Sequence, residues 1–80
     1  MNEEMKARLL ALIAEQSGFD VAGIKANSGL VADLGMDSLD LIETCMAVEE
    51  EFNVDITDEE GKRCATVGDI MDLVHLKGGV

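Results

Sequence analysis

One serine is set among residues that could do chemistry. Ser38 lies in Asp33-Leu34-Gly35-Met36-Asp37-Ser38-Leu39-Asp40, with carboxylates on both sides of its hydroxyl. A serine nucleophile needs a base and a group that orients that base. The sequence has a single imidazole, His75, near the other end of the chain. Asp33 and Asp55 could each open a calcium loop, which requires Gly at its sixth position and Glu at its twelfth. Counting from Asp33 gives Ser38 and Thr44, and counting from Asp55 gives Glu60 and Thr66, so neither fits. Cys45 and Cys64 form no CxxC pair. With His75 they fall short of a four-ligand structural zinc site, and buried, reduced thiols are the expected reading. Ser38 also has an ordinary role available, since serine is a favoured helix N-cap.

The elements that must position these residues are short helices. Met5, Leu9, Leu12 and Ile13 follow helical spacing and predict a first helix over 3–16, stopped at Ser17-Gly18 and carrying a Glu4–Arg8 pair. Residues 17–37 are irregular, with a turn of helix expected near Val21 to Lys25. Phe19, Val21, Ile24, Leu30, Val31 and Leu34 are available to pin this long loop to a core. A second helix is predicted over 38–52, capped by Asp37 or Ser38. Thr57-Asp58-Glu59-Glu60 has the capping-box form and starts a short turn over 58–62, which Gly61 weakens. Thr66 caps a last helix over 67–76 with the stripe Val67, Ile70, Met71 and Val74, ended by Gly78-Gly79. No strand-like alternation of useful length occurs. The expectation is an all-α bundle of three main helices and a minor one, a single domain over 1–80 with a long loop between the first two helices.

Charge separates the functional classes. The 80-residue chain has a formal net charge of −11. No Lys or Arg occurs between positions 26 and 61, while eleven acids do; the rest of the chain balances six acids with six bases. Such a chain repels nucleic-acid phosphates and anionic membrane surfaces. The longest apolar run, Leu9 to Ala14, is far short of a membrane span, and Glu3 and Glu4 do not suit a secretory signal, so a cytoplasmic location is expected.

The second helix carries two apolar groups. At about 100° per residue, with Leu41 at zero, Cys45, Val48 and Phe52 fall within about 40° of it and form a core stripe. Leu39, Ile42 and Met46 gather at about 100–160°, flanked by Glu43, Glu49 and Glu50. Either the helix is sandwiched between neighbours, or the second group is an exposed docking strip with an acidic rim.

Order and spacing over almost the whole chain resemble the stand-alone bacterial acyl carrier proteins. The resemblance rests on Asp33 to Asp40, then Glu43, Ala47-Val48-Glu49-Glu50-Glu51-Phe52, Ile56-Thr57-Asp58-Glu59-Glu60 and Ala65-Thr66-Val67. It implies that a phosphopantetheinyl transferase attaches 4′-phosphopantetheine to Ser38, flanked by Asp37 and Leu39. The arm's thiol would carry acyl groups as thioesters, and the helices would shelter the acyl chains. By position, Leu39, Ile42 and Met46 would contact partner enzymes, with Asp37, Asp40, Glu43, Glu49 and Glu50 pairing with their basic patches. The resemblance implies a monomeric, non-catalytic carrier for fatty-acid, polyketide or lipid-modifying enzymes. A carrier of aminoacyl or other specialised cargo, and an acidic adaptor of the same fold without the arm, are the alternatives. Thr44, Thr57, Gly61, Asp69 and Leu73 depart from the family's usual residues.

Overall fold

A computed structural model describes residues 2–78 of the chain. Four α-helices and one 3-10 turn follow one another: α1 (Glu3–Ser17), the turn (Val21–Gly23), α2 (Ser38–Phe52), α3 (Asp58–Arg63) and α4 (Val67–Leu76). Each start is a capping event. The Asn2 side chain accepts from the Met5 amide at 2.8 Å, and α2, α3 and α4 all open with reciprocal capping boxes. α1 ends at Gly18, whose φ of 78° is the left-handed conformation that glycine adopts without strain. Of the expected Gly78-Gly79 stop, Gly78 follows the end of α4, while Gly79 lies outside the described residues.

Leu9 and Ile13 of α1, Val48 and Phe52 of α2, and Val67, Ile70, Met71 and Val74 of α4 meet in one core. The stripe read for α4 is the buried one. In α2 the buried face is centred on Thr44, Val48 and Phe52, while Leu41 and Cys45 are only half-buried against α3. The expected core stripe is thus rotated toward Thr44. Both thiols are half-buried rather than buried.

The long loop divides its apolar residues. Ile24, Leu30 and Leu34 enter the core, joined by Met36, which helical periodicity could not flag. Phe19, Val21 and Val31 stay exposed, against expectation. The division follows from where the backbone is fastened. The Leu30 amide donates to the Ala65 carbonyl at 2.9 Å, the Val67 amide to Ser28 at 3.0 Å and the Gly68 amide to Ala26 at 2.7 Å. A single antiparallel bridge, Gly29 to Thr66, lies within this set. The loop's polar backbone is therefore satisfied by the start of α4.

Two local expectations are corrected. Arg8 does not pair with Glu4; its guanidinium binds the Glu51 carboxylate and lies 5.4 Å from the centre of the Phe52 ring. Gly61 does not break α3, which runs through it. A Cβ at Gly61 would stand 2.8 Å from Cys45 Sγ, so glycine permits α3 to approach α2 this closely.

Candidate functional site at the head of helix α2

The site begins in the loop. Leu34 and Met36 are buried on either side of Gly35, whose φ of 67° turns the chain between them. The Met36 amide donates to Leu30 at 3.0 Å. These anchors leave Asp37 and Ser38 at the surface. Asp37 is the N-cap: its Oδ1 accepts from the Asp40 amide at 2.9 Å, and Asp40 Oδ2 accepts from the Asp37 amide at 3.1 Å.

Ser38 is therefore not the cap. It is the first residue of α2, exposed, and its hydroxyl takes part in no hydrogen bond among the described residues. The Ser38 and Leu39 amides, which the capping box leaves free, stand at the positive end of the helix dipole, while the Asp40 amide is held by Asp37. A free hydroxyl beside such amides suits a covalently held phosphate. The carboxylates of Asp37 and Asp40 would repel a free anion there.

Next to Ser38 a cleft of about 50 Å³ opens between α2 and α3. Leu41, Ile42 and Cys45 form one wall; Asp58, Gly61 and Lys62 form the other. Its walls are mainly apolar. The volume equals that of only a few water molecules. Sequence reasoning missed the α3 wall. The available signal was spacing, since Asp58, Gly61 and Lys62 at i, i+3 and i+4 share one helix face.

Leu39 and Met46 are 62% and 61% exposed, and Ile42 is 42% exposed, which decides between the two readings of the second apolar group. It is an open strip, not a sandwiched face. Asp37, Glu43 and Glu50 are exposed, and Asp40 is half-buried by its cap. Glu49 is half-buried, and its Oε2 accepts from the Ile56 amide at 3.1 Å, tying the loop after α2 to the helix.

Burial raises the thiol pKa of both cysteines, Cys64 to about 11, with neighbouring acids adding to the effect. They are protonated and poorly nucleophilic at neutral pH. Among the described residues, no cluster of three His, Cys, Asp or Glu is placed to hold a metal. None of the described helices is long and apolar enough to cross a membrane.

Comparison with known proteins shows the family and the fold. The family described as the phosphopantetheine attachment site matches residues 7–74. An acyl carrier protein of Clostridium acetobutylicum is 44% identical over 63 residues, covering 79% of this chain and 82% of its own. A solved Mycobacterium tuberculosis structure assigned as an acyl carrier protein superposes with a TM-score of 0.83 at 36% identity, over 90% of this chain and 96% of that one. An apo doublet acyl carrier protein from prodigiosin biosynthesis gives 0.81 at 27% identity, over 94% of this chain and 36% of that chain.

Proposed function

Because this chain belongs to the acyl carrier proteins, non-catalytic carriers with a covalent 4′-phosphopantetheine, we propose that Ser38 is its attachment residue. The observation that carries the proposal is the division of labour at the head of α2. Asp37 caps the helix, and the exposed Ser38 hydroxyl is left without a partner. When bound, the group supplies a thiol on a flexible arm that holds acyl groups as thioesters. Ser38 would fix the arm's root, the free Ser38 and Leu39 amides would offset its phosphate charge, and the apolar cleft lies beside Ser38.

The family is served by phosphopantetheinyl transferases and by biosynthetic enzymes. For this chain we place their docking on Leu39, Ile42 and Met46, ringed by Asp37, Asp40, Glu43 and Glu50. Glu49 stands at the edge and also holds the loop after α2. Rim charges mainly speed and steer encounter, which suits a shuttle that must also release its partner. Fatty-acid or related biosynthesis in the cytoplasm, by a monomer, is the reading that the acidic surface and the family favour.

Intact mass tests the attachment. Incubation with a transferase and coenzyme A should add one phosphopantetheine, and Ser38→Ala should abolish the addition. No gain of mass in the wild type would overturn the assignment. Docking is tested by Met46→Glu, expected to weaken binding to a partner at least tenfold while the fold persists. Unchanged binding would remove the strip from the proposal.

A further inference from the structure

Among the described residues, Lys62 is the only basic side chain on the cleft beside Ser38. It is also the first base after the run of positions 26–61, which holds eleven acids and no Lys or Arg. The cation nearest the proposed attachment residue along this cleft thus comes from a different helix. It stands next to Gly61, whose missing Cβ lets α3 lie close against Cys45 of α2.

Lys62 is exposed and makes no ion pair among the described residues; the two that occur are Arg8 with Glu51 and Lys77 with Glu60. Asp58, one turn earlier on the same wall, is not close enough to engage it. Arg63, the next residue, turns away and lines the groove between α3 and α4 with Asp69, Asp72, Leu73 and Leu76. Lys62 and Arg63 both stand in the last turn of α3 and could both serve its dipole. Only Lys62 borders the Ser38 cleft.

A phosphodiester on Ser38 adds a negative charge between Asp37 and Asp40, both of which oppose it. We infer that Lys62 is a positioning residue for the arm. Its ammonium would attract the Ser38 phosphodiester across the mouth of the α2–α3 cleft and draw the root of the arm toward that cleft rather than toward solvent. This inference rests on attachment at Ser38.

The test compares apo and arm-bearing protein, with loading verified by intact mass. The phosphorus resonance of the phosphodiester should differ between wild type and Lys62→Gln. Added salt should move the wild-type resonance toward the Lys62→Gln position, because an exposed pair is screened. Lys62→Arg should restore the wild-type position, and Arg63→Gln should leave it unchanged. Loading should also lower the melting temperature of Lys62→Gln by about 2 °C more than that of the wild type, the size expected of an exposed charge pair in a small domain. A purely dipolar role would shift apo and loaded protein alike. Identical phosphorus resonances with equal apo-to-loaded melting changes would overturn the inference while leaving attachment intact. No mass gain in any variant would instead overturn attachment itself.

Discussion

Asp37 and Asp40 hold each other's backbone amides: the Asp37 carboxylate accepts from Asp40 at 2.9 Å and the Asp40 carboxylate from Asp37 at 3.1 Å. This reciprocal pair relieves Ser38 of the capping duty that its residue type would otherwise suggest. It also places two carboxylates beside the hydroxyl for a structural reason, independent of any partner.

The first prediction separates these roles. Ser38→Ala should change stability by less than about 0.5 kcal/mol, as expected of a surface substitution. Asp37→Ala should cost about 1 kcal/mol, as loss of an N-cap does. Urea denaturation of the apo proteins measures both, and the reverse order would mean that Ser38 carries the cap.

Thr44 is fully buried, and its hydroxyl has no hydrogen-bond partner. A buried polar group without a partner is costly, while valine fills nearly the same space. Thr44→Val should stabilise the protein by about 1 kcal/mol, readable as a higher denaturation midpoint at constant slope.

Gly61 and Cys45 should be energetically coupled. Replacing glycine by alanine inside a helix ordinarily gains about 1 kcal/mol. Here the added Cβ meets Cys45 Sγ. Gly61→Ala should show its gain in a Cys45→Ala background and lose most of it in the wild type. The double-mutant cycle should give a coupling above about 0.5 kcal/mol, and additivity would show that the thiol moves aside freely.

The Lys77 ammonium, 2.7 Å from Glu60 Oε1, together with the Thr57 amide, lowers the Glu60 carboxyl to about 2. A depressed carboxylate stabilises the fold above its ordinary pKa, and that contribution fades as pH falls toward the folded value. Wild type should therefore exceed Lys77→Met in stability at pH 6. The difference should shrink below about pH 4.3 and vanish near pH 2. Asp69, held low by the Ala65 and Thr66 amides, keeps its own acid sensitivity in both proteins. A gap constant with pH would exclude the Glu60–Lys77 pair as its source.

Two of the eleven acids in positions 26–61, Glu51 and Glu60, are met by bases folded in from outside that run. The others still repel one another in the compact state. Sodium chloride or magnesium should raise the melting temperature of the apo protein, and indifference to both would contradict this.

Much of this was legible because capping is local. Thr57 with Glu60 announces α3 and Thr66 announces α4 locally, and the α4 stripe needs no tertiary information. Ser38 stood out by its neighbours, and the strip of Leu39, Ile42 and Met46 by its angle on α2. What could not be read depends on distant partners. Nothing local distinguishes buried Leu30 from exposed Val31, because the choice is made by the bond from Leu30 to Ala65. Arg8 was assigned to Glu4 because local pairing ignores Glu51. Gly61 looks like a helix breaker until α2 is placed against it.

The backbone bonds joining residues 26–30 to 65–68 have a kinetic consequence. Closing a loop between segments so far apart loses chain entropy before any contact rewards it, so this fastening is expected late in folding. The helices can nucleate on their own caps, whereas residues 26–30 of the loop that leads to the head of α2 are fastened only when the start of α4 is in place.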